Sequence, residues 1–171
     1  MSEMFDVYDD SGNKIGQYPR SECHGNPALI HCSVHVVVFD SSGEKILLQK
    51  RSLSKDIQPG KWDTAVGGHV DAGEAVEAAA YRELKEELGI TGQLEFFFTD
   101  HIRNEIESEN VTVYKLFSDG PFEYSPAEID EIRFFQLSEF AAESGRCRED
   151  FTPNLQKELA RIVELSKGIQ Q

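Results

Sequence analysis

The sequence predicts an α/β (α+β) fold in which helices pack on the faces of a mixed β-sheet. Strand-like runs rich in Val, Ile and Phe interleave with segments of helical periodicity. Several neighbouring strands are joined by turns too short to hold a helix, which requires antiparallel pairs in the sheet. A chain of 171 residues is long enough for one domain with a sizeable core.

The elements follow in order. FDVYDDSGNKIGQYPR, residues 5–20, reads as a hairpin around a Ser-Gly-Asn turn. GNPA at 25–28 breaks the chain before HCSVHVVVFD, an expected strand. SSGEK then turns into KILLQKRS, a second hairpin. PGKW at 59–62 is a loop, followed by a short extended TAV. QLEFFFTDHIR, ENVTVYKLFSD and EIRFFQL are further strands, and PNLQKELARIVELSK places Leu155, Leu159, Ile162 and Val163 at helical spacing. The aromatic residues Phe96–Phe98, Phe117, Phe122 and Phe134–Phe135 are expected in the core. Residues 1–30 form an N-terminal hairpin extension and connector ahead of a main unit at 31–171; the hairpin either covers the site or forms a dimer contact.

Charge narrows the partners. With 31 acids against 17 bases the formal charge is −14, which argues against nucleic acid and suits a protein that binds cations. The acidic start MSEMFDVYDD has no apolar signal region, and no apolar run approaches the ~20 residues of a membrane span. Cys23, Cys32 and Cys147 are odd in number and scattered, as in a reducing cytoplasm.

The chemistry concentrates in RELKEELGI, residues 82–90. At about 100° per residue, Glu83, Glu86 and Glu87 share one helix face, beside a face of Tyr81, Leu84 and Leu88. Asp71 and Glu74 resemble a capping box, and Gly89 is placed to end the helix in a left-handed conformation. Arg82–Glu86 is the only opposite-charge pair at helical spacing. Each like-charge pair costs about 0.2–0.5 kcal/mol. Converging carboxylates without an internal partner point to an external cation, and all-oxygen ligands suit Mg²⁺ or Mn²⁺.

Extended upstream, GHVDAGEAVEAAAYRELKEELGI resembles the Nudix hydrolase signature G-x5-E-x7-R-E-U-x-E-E-x-G-U. Gly68, Glu74, Arg82, Glu83, Leu84, Glu86, Glu87, Gly89 and Ile90 match. The resemblance implies an α/β/α sandwich and hydrolysis of a diphosphate linked to another group. It implies metal binding by Glu83, Glu86, Glu87 and the Gly68 carbonyl, with Arg82 holding the carboxylates and Glu74 structural. The general base varies in the family; Glu83, Glu128 and Glu131 are candidates. A homodimer is a family-level expectation.

QKRSLSKDIQPGKWDTAVGGHV, residues 49–70, is similar to the narrower group of isopentenyl diphosphate isomerases and the Nudix hydrolases that look like them. In that likeness Arg51 and Lys55 match diphosphate-contacting positions, and Lys61 extends the basic loop. His24, His31, His69, Glu107 and Glu109 match a second metal site, for zinc or manganese. Cys23 and Cys32 flank the first two histidines, leaving a Cys/His zinc site open as well. His35 falls outside: four residues along a strand span ~13 Å, whereas two histidine ligands of one zinc place their nitrogens within ~4 Å. The isomerases carry a catalytic Cys where this chain has Gly67, and their box tends to be degraded, whereas here it is intact. Both departures favour a hydrolase over an isomerase, and an intact box favours it over a nucleotide sensor without turnover.

Overall fold

A computed structural model describes residues 2–143 and 147–168. Nine strands form one mixed sheet: β1 Met4–Tyr8, β2 Lys14–Pro19, β3 Ile30–Phe39, β4 Lys45–Arg51, β5 Trp62–Thr64, β6 Val66–His69, β7 Glu95–Arg103, β8 Ser108–Phe117 and β9 Ile129–Gln136. The helices are α1 Arg20–Cys23, α2 Val76–Leu88, α3 Leu137–Ala142 and α4 Pro153–Ser166. Helix α2 packs on one face of the sheet, and α3 with α4 on the other, giving the expected sandwich.

Strand β3 organises the layers by its period of two. Val34, Val36 and Val38 face α2, where they meet Leu84 and Leu88. Val37 and Phe39 face the opposite core with Leu155, Leu159 and Ile162 of α4. His31, Ser33 and His35 share the parity of Val37 and Phe39, so polar groups line that face where the apolar core ends.

The second hairpin is present but opens immediately. Strands β3 and β4 pair only at Phe39↔Ile46. Beyond it β3 takes β6 on one side, from Ser33↔His69 to Val36↔Val66, and β8 in parallel along its full length on the other. Strand β4 takes β5 and β9. Ala65 alone separates β5 from β6. The two arms therefore diverge into a wedge, and a cavity of about 590 Å³ lies between them.

The N-terminal hairpin joins this sheet through Tyr8↔Ile30. Its β1 also accepts Ala72 N–H at the Met4 carbonyl (2.7 Å) and Gly73 N–H at Asp6 Oδ2 (3.0 Å), which fixes it over the approach to α2.

The capping expectation holds in part. Gly89 ends α2 at φ +67°, its N–H bonded to the Lys85 carbonyl at 3.0 Å. At the other end, Glu74 accepts from Asp71 N–H (3.0 Å), but in a turn ahead of the helix; Ala75 is the cap residue and bonds nothing through its side chain. The Glu74 carboxylate is oriented instead by Arg82, a pull that capping chemistry does not anticipate. The aromatic expectation also divides. Phe98 and Phe135 are buried, whereas Phe96 and Phe117 are exposed; an irregularity between Phe96 and Phe98 in β7 turns Phe96 outward, and Phe117 ends β8. Among the described residues no helix is long and apolar enough to cross a membrane.

Candidate functional site

The cavity draws one wall from α2. Glu83 and Glu87 lean onto the backbone of β6. A Cβ on Gly68 would run into the Glu83 carboxyl group, so the approach depends on glycine there. Glu87 Oε2 accepts from Gln49 Nε2 (3.0 Å) and from Gly67 N–H (3.2 Å). Both donors are neutral. Burial, reinforced by the Glu83 charge, pushes Glu87 up to about 8 and raises Glu83 too. Glu86 is exposed at the rim.

Arg82 has more partners than helical spacing foresees. Its Nε and Nη2 hold Glu74 at 2.9 and 2.8 Å, Nη2 reaches the His69 carbonyl at 3.0 Å, and Nη1 lies 2.6 Å from Glu83 Oε1. Glu86 is only a longer contact at 3.4 Å. Hydrogen bonds with Glu74, then Glu83, hold the guanidinium above its usual range. Arg82 balances Glu83 from one side, while Glu87 forms no ion pair among the described residues. That residual negative charge fits a divalent ion among oxygen ligands.

A second cluster sits where β1, β3, β6 and β8 meet. His24, His31, His69 and Glu109 each offer a ligand atom within 4.8 Å of the others. His69 Nε2 is 3.0 Å from Glu109 Oε1 and 3.3 Å from His24 Nε2. His31 Nδ1 lies 3.3 Å from the Leu29 carbonyl, which sets Nε2 as the free lone pair, and this buried Nε2 makes no hydrogen bond among the described residues, standing 3.4 Å from Glu109 Oε1. Phe5 of the hairpin stacks on His31 and His69, with ring centroids 5.0 and 4.8 Å away. Burial and the His69 charge lower His24 to about 4. Burial opposes ionisation of Glu109, but the His31 and His69 rings hold it well below the usual carboxylate range. Glu107 lies beside the cluster, raised to about 7 by burial and the Glu109 charge. An unpartnered imidazole nitrogen facing a carboxylate and two further rings fits a metal with nitrogen ligands. Cys23 is buried with Phe5 and Val7 and is not among the four converging groups.

The basic loop supplies two of its three candidates. Arg51 and Lys55 line the cavity, whereas Lys61 does not and contributes its carbonyl to Arg51 N–H at 2.8 Å. Lys55 Nζ pairs with Glu128 Oε2 across the mouth. Of the two loop acids, Glu128 lines the cavity; Glu131 is drawn away by Arg133, 2.6 Å from its Oε1. Two contributors lacked a local signal: Gln49, which orients Glu87, and His35, which bonds Glu158 across 123 residues of chain.

Comparison with known proteins identifies the family. Residues 29–155 match the NUDIX domain family. An uncharacterized Nudix hydrolase of Yersinia pestis is 38% identical over 162 residues, covering 92% of this chain and 84% of its own. The uncharacterized Nudix hydrolase YfcD of Escherichia coli is 34% identical over 163 residues, 93% of this chain and 86% of its own. Among solved structures, DR0079 of Deinococcus radiodurans superposes with a TM-score of 0.75 at 24% identity, over 94% of this chain and 99% of that one. The NUDIX domain of Shewanella oneidensis NrtR, solved with ADP ribose, gives 0.59 at 18% identity, over 82% and 88%. With three quarters of its length inside the family match and its carboxylates gathered on the matching helix, this chain belongs to the Nudix family and is a Nudix hydrolase.

Proposed function

We propose that the chain cleaves the diphosphate linkage of a nucleoside diphosphate derivative or another organic diphosphate, by water attack at phosphorus. The observation that carries this reading is Glu87: a carboxylate pushed up to about 8 with only neutral donors, beside a second acid leaning on glycine backbone. Glu83, Glu86, Glu87 and the Gly68 carbonyl would hold Mg²⁺ or Mn²⁺. A divalent ion there supplies neutralisation of the charge that develops on the phosphoryl oxygens.

The chain's own residues divide the remaining work. Arg82 positions Glu83, and Gln49 with Gly67 N–H orients Glu87. Arg51 and Lys55 anchor the diphosphate by charge-assisted hydrogen bonds. Glu128 accepts the proton of the attacking water once substrate draws Lys55 away from it; its place on the cavity wall supports it over Glu131. The cluster of His24, His31, His69 and Glu109 would take zinc or manganese, with Glu107 adjacent. The likeness to the isomerase-related group supports that assignment, and Gly67 in place of its Cys supports hydrolysis. Free Cys23, Cys32 and Cys147 support a reducing compartment.

The test is a panel of nucleotide sugars, dinucleoside polyphosphates, nucleoside triphosphates, cofactor diphosphates and isopentenyl diphosphate, with Mg²⁺ or Mn²⁺, run beside Glu87→Gln. Turnover of one class, lost in the variant, is expected. A wild type that binds metal yet hydrolyses nothing, or yields only a double-bond shift, would sink the hydrolytic reading.

A further inference from the structure

His35 is a polar residue set among valines in the middle of β3, Val34 before it and Val36–Val38 after. Its ring Nδ1 lies 2.6 Å from Glu158 Oε2 of α4, so Nδ1 carries the shared hydrogen. Glu158 is buried and its other oxygen has no partner. The ring is thus gripped at one nitrogen only.

The opposite edge of the ring faces β6. A Cβ placed on Gly67 would lie 3.3 Å from His35 Cδ2 and 3.5 Å from Nε2. Gly67 is also the residue whose N–H bonds Glu87. The Nε2 edge and the Glu87 carboxylate therefore approach the same side-chain-free residue, the ring where a Cβ would stand and the carboxylate at its N–H. His35 lines that cavity, its side chain is 12% exposed, and Nε2 has no hydrogen-bond partner among the described residues. Asp63, on the same wall, is already committed: Oδ1 accepts from Thr64 N–H and Thr152 Oγ1, and Oδ2 lies 3.4 Å from Arg51 Nη1.

We propose that His35 is a substrate-binding residue whose Nε2–H donates to a phosphoryl oxygen of the bound diphosphate in the cavity it lines, with Glu158 as the residue that positions its ring. The inference rests on the diphosphate reading above and adds a binding group that no box residue supplies. Burial alone would strip the second proton from the ring, but the charge and hydrogen bond of Glu158 outweigh it and hold His35 at about 9. A donor at Nε2 complements Arg51 and Lys55, which approach from the basic loop. A purely structural pairing would only tie β3 to α4, and a buried ion pair is weak support for stability compared with an apolar contact.

The two nitrogens can be tested separately. His35→Asn keeps a donor where Nδ1 meets Glu158 and removes the Nε2 edge. His35→Gln keeps a donor near Nε2 and gives up the Glu158 bond. Binding of methylenediphosphonate with Mg²⁺ is measured by calorimetry for both variants, and the His35 ¹⁵Nε2 resonance of the wild type is followed through the titration. The expected result is at least a tenfold loss of affinity in His35→Asn, a loss within about threefold in His35→Gln, and a shift of the ¹⁵Nε2 resonance on binding. Wild-type affinity in His35→Asn, a stationary resonance on binding, or no binding by the wild type would each overturn the assignment. The readout needs no turnover, so a failure here is distinct from a failure of the substrate panel.

Discussion

Arg82 grips Glu74 through two nitrogens, Nε at 2.9 Å and Nη2 at 2.8 Å, and so turns its remaining Nη1 toward Glu83. An acid in the turn ahead of α2, outside the metal-facing set, thereby fixes the cation that steadies it. Glu74→Ala should remove two charge-assisted bonds and cost about 2 kcal/mol of stability. Urea denaturation checks it; an unchanged midpoint would show that Arg82 holds its place without Glu74.

Glu87 gives the site a pH dependence. At pH 6 its carboxyl, held at about 8, carries a proton that an incoming divalent cation must displace. Apparent Mn²⁺ affinity should therefore rise roughly tenfold per pH unit up to about pH 8. Glu87→Gln should bind more weakly and with a flatter profile. Calorimetry at pH 6, 7 and 8 reads both, and a flat wild-type profile would contradict displacement of a proton from Glu87.

Gly68 is placed by contact, since its backbone is not in the left-handed region. Gly68→Ala should push the Glu83 carboxylate aside, lowering Mg²⁺ or Mn²⁺ affinity by roughly 10- to 100-fold. A metal titration with a melting curve as control would detect this, and wild-type affinity would refute it.

Phe5 is fully buried against His31 and His69. Phe5→Ala should cost about 3–5 kcal/mol and loosen the histidine cluster. Both the denaturation midpoint and Zn²⁺ affinity should fall together; loss of stability alone would separate the hairpin from the cluster.

His35 contributes to stability with a definite sign. Its folded value of about 9 exceeds the unfolded value of about 6.5, so the stabilisation is complete below about pH 6.5 and is lost as pH rises through about 9. Metal-free wild type should lose stability across that window relative to His35→Asn. Parallel stability–pH curves for the two would place the ring's titration elsewhere.

Local signals were readable and distant ones were not. The hairpin at 5–20, the helix ending at Gly89 and the helix at 153–167 declare themselves through turn chemistry and periodicity. The splay of β3 and β4 does not, because it depends on β8 and β9 pairing from far along the chain. The glutamates of α2 were legible as a crowded face, but Gln49 was hidden in a strand run and the grip of Arg82 on Glu74 needs the turn at 71–74. For His35, strand spacing correctly set it apart from His31, yet its partner Glu158 lies on a helix whose register against β3 no local pattern states.

Ala65 stands alone between a strand committed to one arm of the wedge and a strand committed to the other. Thr64 and Val66 are at most roughly 7 Å apart in Cα positions. The arms are bound like the covers of a book along a spine one residue thick, and their inner edges cannot part without breaking strand pairing. Substrates of different bulk must be admitted by loops at the open edge, around Lys55, Glu107 and Glu128. Adaptation to ligands of different size therefore falls to those loops, while the gap between the arms keeps one width.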